Sequence, residues 1–468
     1  MKSDKLQDAI GGIDPELIAR SELPVKKKRG YKITSAIAAV LVLAIGMGIF
    51  WGNPGYSGYT VYAGDMIAVY PTMIPYTAYN IDPEGYDAWR ADQEKKLDYC
   101  GEAKTMQSFI KATAREILCG DGDNIVYSPL NIYIALAMLA EVTDGNTRSQ
   151  LLHLLDANNI QTLRKRANSL WNVNYNRDGL TSSVLASSLW LNEDYSFYKE
   201  TLEILRDNYY ASSYQGEMGS DAFENALRAW LNEQTGGLLS DQIDGITLSP
   251  DTILALATTV YFRTSWQTEF GENNTEKAVF HGALGDTETD FMHQNYVGSY
   301  CRGEKFSAVS KNLEGSGNMW FILPDEGVSV NELLQDDEAL SFLGGCDMWV
   351  DQQETEIQLA VPKFTVSSQL DLRESLEHLG VTDCFDASRA DFSPLVSGDV
   401  DAYVGKIDHG ALVGISEGGV TAGAYTFTQI YGTGASEKTV NFTADRPFIF
   451  VITGVDGSVM FIGVVNRI

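Results

Sequence analysis

The sequence predicts an α+β fold, and three observations carry that prediction. Its 468 residues are 44 % hydrophobic and 11 % aromatic, enough to bury a sizeable core. Residues 94–118 and 129–140 carry apolar side chains at helical spacing or in a buried run. The strand-like runs that follow do not alternate with helices, so a regular βαβ repeat is not expected. The length allows one large domain or two to three average ones.

The first 31 residues are polar and end in Lys26-Lys27-Lys28-Arg29. Residues 33–51, ITSAIAAVLVLAIGMGIFW, carry no charge and are long enough to span a membrane. A cleaved signal peptide has a shorter apolar core and a small-residue exit, and a core helix shows polar positions at helical spacing. The segment fits an anchor better than either. The basic cluster before it puts the N-terminus inside and the rest of the chain outside. The expected organisation is a cytoplasmic tail over 1–31, an anchor or uncleaved signal over 32–51, a spacer over 52–92 and a globular domain over 93–468. Cleavage of the anchor would give a secreted protein. The spacer reading rests on Pro54, Pro71, Pro75 and Pro83, on five glycines, and on seven tyrosines between Tyr56 and Tyr86.

Met106, Phe109, Ile110, Ile117 and Leu118 predict an amphipathic helix over 94–118. PLNIYIALAMLA, residues 129–140, reads as a buried helix with Pro129 in its first turn. Residues 252–262 and 318–323 read as buried strands, and 355–362 alternate as a half-buried strand does. The C-terminal stretch from Asn441 reads as two strands joined by the turn Val455-Asp456-Gly457.

Composition excludes several functions. A formal net charge of −29 argues against nucleic-acid binding, which needs clustered Lys and Arg. Five cysteines without a C-x-x-C argue against a zinc ribbon or thioredoxin-type site, and buried free thiols are expected. The five histidines lack H-x-x-x-H or H-E-x-x-H spacing, so no metal site is expected.

One motif invites an enzymatic reading. Gly414-Ile415-Ser416-Glu417-Gly418 fits G-x-S-x-G, the nucleophile elbow of serine hydrolases. An elbow needs a helix after the serine, and the glycines and β-branched residues from Gly418 to Tyr425 make a poor one. No histidine follows Ser416 to complete a triad; His409 precedes it. The serine-hydrolase reading of Ser416 is therefore remote. A different pattern starts at Val420. Val420, Ala422, Ala424, Thr426 and Thr428 are small or β-branched and alternate. In an extended chain they share one face, which would fit between two strands without overpacking. Gly418 and Gly419 before them can absorb the backbone rotation of a hinge.

Distributed motifs resemble the serpin family over residues 93–468. They are Asn124 to Pro129 with ALAMLAE and Gly145-Asn146-Thr147; Trp230 with Asn232, Thr235 and Gly237; and Tyr261-Phe262 through Trp266 to Phe270. Further matches are Pro362-Lys363-Phe364; Leu379-Gly380 through Asp383, Phe385 and Asp391-Phe392-Ser393; and Phe442 through Asp445, Pro447, Phe448 and Phe450. The resemblance is to a bacterial, membrane-anchored or exported member. It implies a helical bundle with three β-sheets and an exposed reactive loop, here 417–440. The implied activity is suicide-substrate inhibition of serine proteases, without a cofactor and without catalysis by the chain itself. A protease cuts the loop, is held as an acyl-enzyme, and is carried off as the loop enters the central sheet. The implied partner is the target protease, bound covalently by a monomer.

The resemblance also implies residue roles. Glu417 is the acidic residue at the loop base, with Lys363 as its partner. Gly418, Gly419, Val420 and Thr421 match the hinge, and Ala422, Gly423 and Ala424 the small-residue run. Trp266 matches the aromatic at the insertion point. Ser128 and His409 match polar residues of the shutter through which the sheet opens, and Thr258 stands where Asn is usual. Counting from Gly419 puts the cut bond at Thr433–Gly434, and counting back from Pro447 puts it at Ser436–Glu437. Tyr431 is an outside candidate. No Lys or Arg lies between 417 and 437, which favours elastase-like or subtilisin-like targets. The alternative is a non-inhibitory relative acting as a cell-surface binding module or a protease substrate.

Overall fold

The computed structural model describes residues 65–120, 122–398, 400–420 and 439–468. Helices α1 (Pro83–Lys95) and α2 (Gln107–Ile117) precede strand β1 (Ile125–Tyr127). Helices α3 (Pro129–Glu141), α4 (Gly145–Leu154) and α5 (Ile160–Asn174) come next. Then follow β2 (Asn176–Arg177), β3 (Ser182–Asn192), α6 (Lys199–Tyr209), β4 (Ala211–Gly216), α7 (Asp221–Gln234) and β5 (Leu254–Ser265). The second half is mostly strand: β6 (Thr275–Gly282), β7 (Gly285–Arg302), β8 (Phe306–Asn312), β9 (Asn318–Pro324), β10 (Gln353–Pro362) and β11 (Phe364–Asp371). It closes with β12 (Asp408–Ser416), β13 (Gly419–Val420), β14 (Thr439–Thr443), β15 (Phe448–Thr453) and β16 (Val459–Val465).

Two sheets result. The central sheet runs β11-β12-β13-β5-β3-β2, with β4 also on β3. The second runs β1-β16-β15-β9-β8-β7-β10-β14, with β6 on β7. The resemblance implied three sheets; here two of them are one continuous ladder. The reason is β7, 18 residues long. Its first half pairs with β6, its middle with β10 and its end with β8.

Helix α3 shows why the buried elements were legible. The Ser128 hydroxyl accepts from Asn131 N at 3.2 Å, and Pro129 takes the first turn, where its missing N–H costs nothing. All its residues but Ala135 are buried. Strands β15 and β16 are buried throughout, which makes the C-terminal hairpin part of the core.

The N-terminal portion differs from expectation. The helix expected over 94–118 is broken: α1 ends at Lys95, two short 3-10 turns follow, and α2 starts at Gln107. Extended Cys100 and Gly101, at φ +113, interrupt the helical path. The described part of the spacer, 65–92, lies on the body. Met66 and Ser213 exchange two backbone hydrogen bonds, at 2.7 and 2.8 Å, alongside β4. The Tyr70 ring packs 5.6 Å from Trp171 and 5.7 Å from Tyr175. The Trp89 indole donates to Asp178 at 2.8 Å, joined by Gln93 at 3.2 Å. Burial lowers the Lys96 amine to about 8, against the pull of Asp178 and Asp92. Tyr70 covers aromatic surface at the end of α5, whereas Tyr76, Tyr79, Tyr86 and Trp89 pack on one another. Among the described residues no helix is long and apolar enough to cross a membrane, and the anchor expected over 32–51 lies outside them. All five cysteines are free; Cys301, Cys346 and Cys384 are buried as expected, whereas Cys100 is exposed and Cys119 half-buried.

Candidate functional site

The site forms where β12 turns into β13. β12 pairs with β11 along its whole length, from Phe364↔Ile415 to Asp371↔Asp408. After the turn Glu417-Gly418 the chain returns as β13. Val420 pairs with Ile415 on one side and Thr264 on the other, and Gly419 with Ser416 and Ser265. The approach at Gly419 explains its residue type. A Cβ there would run into Thr264 O and lie 2.7 Å from Ser265 Cα. Below Val420, β12 and β5 share no pairs among the described residues. A cavity of about 1050 Å3 lies between them, lined by Leu136, Leu139, Val260, Phe262, Ala411 and others. Two strands that would otherwise join are thus held apart, with one short strand seated at the top.

Several groups hold this turn. The Lys363 ammonium lies 2.5 Å from the Glu417 carboxylate, and Thr275 Oγ1 donates to the same oxygen at 2.8 Å. Burial pushes the Glu417 carboxyl up, but hydrogen bonds from Lys363 and Thr275 outweigh it and leave it below the usual range. Trp266 N donates to Gly418 O at 3.1 Å, and Phe270 N to Glu417 O at 3.0 Å. The Trp266 indole donates to Ser416 O at 2.8 Å. The turn is therefore anchored by main chain and side chain together.

Lower in the sheet, Ser128 N donates to His409 Nε2 at 3.0 Å. Burial lowers the His409 imidazole to about 4, so it is neutral and uses Nε2 as an acceptor. Thr258 is reached through Asn131, whose Nδ2 donates to Thr258 O at 3.3 Å. These groups join α3, β5 and β12 where the two strands stand apart.

The expected residues sort cleanly. Glu417, Lys363, Trp266, Gly418, Gly419 and Val420 meet at the top of the gap, and Ser128, His409 and Thr258 lie along it. Thr421, Ala422, Gly423, Ala424, Tyr431, Thr433, Gly434, Ser436 and Glu437 lie outside the described residues. The serine-hydrolase reading fails on geometry. Ser416 ends a strand and is followed by a tight turn and a return strand, not by a helix. His409 is buried and occupied by Ser128 N. Thr275, Phe270 and Asn131 were missed as partners. Thr275 lies nine positions beyond Trp266 across a loop, with no periodicity to link them.

A family model described as "Serpin (serine protease inhibitor)" matches residues 105–468. The human leukocyte elastase inhibitor is 29 % identical over 356 residues, covering 73 % of this chain and 92 % of that one. An uncharacterized serpin-like protein of Thermococcus kodakarensis is 27 % identical over 414 residues, covering 86 % of this chain and 94 % of that one. The crystal structure of a thermophilic serpin, tengpin, in the native state has a TM-score of 0.70 at 26 % identity, covering 78 % of this chain and 94 % of that one. Human thyroxine-binding globulin, at 19 % identity and a TM-score of 0.67, shares the fold; it covers 78 % of this chain and 99 % of that one. With the family model spanning most of the chain, and with the Glu417–Lys363 ion pair and the divided sheet present, this protein belongs to the serpin family.

Proposed function

We propose that this chain is a suicide-substrate inhibitor of serine proteases with small primary pockets, elastase-like or subtilisin-like. One observation carries the reading: β13 is seated between β12 and β5 above a gap that a strand can fill. Continued in the same register, Ala422, Ala424 and Thr426 would follow Val420 on the core side, opposite Val413, Ala411 and His409. Small and β-branched side chains suit that buried face. A protease serine would attack a carbonyl in the loop, at Thr433–Gly434 or Ser436–Glu437, with Tyr431 the alternative. Its acyl-enzyme would form as the C-terminal side leaves as an amine. The freed strand would add to both neighbours, with main-chain hydrogen bonds driving the insertion. An SDS-stable complex with elastase or subtilisin is the expected outcome. If every protease tested cuts the loop and remains active, the inhibitor reading fails.

The second reading, a non-inhibitory relative, is favoured by Gly423 and Tyr425, which depart from a uniformly small run. It predicts cleavage without complex and without a gain in heat stability. The uncharged segment 33–51 behind a basic cluster supports an anchor with the inhibitor domain outside the cell. Full-length chain in the membrane fraction, with its domain open to added protease on intact cells, is the corresponding outcome.

A further inference from the structure

Lys311 has no part in the reading above, yet it stands directly behind the turn. It lies near the end of β8 and is 2 % exposed. Its ammonium faces three aromatic rings, 4.6 Å from Phe270, 4.9 Å from Tyr296 and 5.5 Å from Trp266. It donates to Thr268 O at 2.7 Å and to Gln294 Oε1. Gln294 in turn donates to Glu269 O at 2.9 Å. Among the described residues no carboxylate makes an ion pair with it. A buried cation with no counter-charge is expensive to keep, so its surroundings carry information. Here they are rings and carbonyl-type oxygens, the set that suits a cation held by π faces.

The location adds the rest. Tyr296 is on β7 and Lys311 on β8, both in the second sheet. Trp266 and Phe270 follow β5 of the central sheet. The same junction is stitched by Gln267 N to Asn312 O and by Glu314 N to Ser265 O. The lysine thus joins the two sheets at the segment whose N–H groups hold the turn.

We propose that Lys311 is a positioning residue for the hinge: its ammonium sets Trp266 and Phe270 against the carbonyls of Ser416, Glu417 and Gly418, and so sets how readily the strand after Val420 is drawn in. This rests on the hinge reading above. Burial lowers the Lys311 amine to about 7, so in the folded chain it loses its proton near neutral pH. The neutral amine keeps its hydrogen bonds but loses its attraction to the rings. Other titratable groups stand around it. Burial pushes the Tyr296 hydroxyl far up, and that group donates to Ser310 O at 2.6 Å. Burial, then Glu272, raises the Glu269 carboxyl, and burial raises that of Glu314. Glu417 is held by Lys363 below the usual range despite burial.

Hydrogen exchange at the Trp266 and Phe270 amides tests this in the full chain without a protease. Wild type, Lys311→Arg and Lys311→Met are compared at matched pH between 6 and 8.5, so that intrinsic exchange chemistry cancels. Arginine keeps its charge throughout and methionine has none. Wild type should match the Arg variant at pH 6 and lose about tenfold in protection against it by pH 8.5, approaching the Met variant. A wild-type to Arg ratio that stays constant across this range overturns the proposal, as does equal protection in the Arg and Met variants. Should the Met variant not fold, the wild-type to Arg comparison decides alone. Failure of the inhibitor reading would show separately, as absence of the SDS-stable complex.

Discussion

At the scale of single residues, the Glu417–Lys363 pair and His409 make the sharpest expectations. The pair is partly exposed, so its coupling in a double-mutant cycle should be modest, about 1 kcal/mol. Replacing Glu417 by Lys sets two ammonium groups together and should cost more than Glu417→Gln in urea unfolding. His409 carries a pH dependence of defined sign. Its folded value of about 4 lies below the ordinary 6.5, so the native state binds fewer protons than the unfolded chain. Its contribution is complete above pH 6.5 and is lost as pH falls toward 4. The full displacement corresponds to about 3 kcal/mol. The slope of stability between pH 6.5 and 4 should flatten in His409→Asn. An unchanged slope would assign the titration to other groups. Neither contact was visible in spacing alone. Glu417 lies 54 positions beyond Lys363, and Ser128 lies 281 before His409. Only the family resemblance brought them together, and Thr275, unmarked by any motif, stayed hidden.

At the scale of elements, β13 and α1 teach different lessons. The alternation from Val420 onward is a strand pattern, and the structure seats its first residue in the sheet with 1 % exposure. Val420→Arg would have to bury a guanidinium there. We expect about tenfold or more protease consumed as cleaved inhibitor per trapped enzyme, measured by titration. Unchanged stoichiometry would contradict insertion through this position. Helix α1 shows why part of the fold was illegible. None of its residues is buried, so it has no apolar stripe to read. Its start was in fact written at Asp82-Pro83, where Asp82 accepts from Gly85 N at 3.1 Å. Prolines and glycines nearby made the whole stretch look like a spacer. Its attachment depends on Trp89 and Asp178. Trp89→Ala removes a hydrogen bond to a carboxylate along with ring packing, a loss of about 2 kcal/mol. Limited proteolysis should then cut residues 65–82 faster than in wild type.

At the scale of the whole molecule, the central sheet holds two strands apart without direct pairing, and closure of that gap is the expected source of stabilisation. A loop-cleaved sample should unfold at higher temperature than the intact chain. A net gain of about 5 kcal/mol would raise Tm by about 5 °C at this chain length. No rise would point to the non-inhibitory reading. The fold class was legible because helix and strand periods were clear and the strands did not alternate with helices. The joining of two implied sheets through β7 was not, since nothing in an 18-residue strand announces how many partners share it. The ends of the loop carry a last consequence. Val420 belongs to the central sheet, whereas Thr439 opens β14 on the other. A cut at Thr433–Gly434 or Ser436–Glu437 makes a separate C-terminal piece of 35 or 32 residues. That piece contains β15 and β16, which lie inside the core and pair with β9 and β1. It should therefore stay bound as a non-covalent subunit. The nick would leave the elution volume on a sizing column unchanged and would show only when detergent or denaturant pulls the two polypeptides apart.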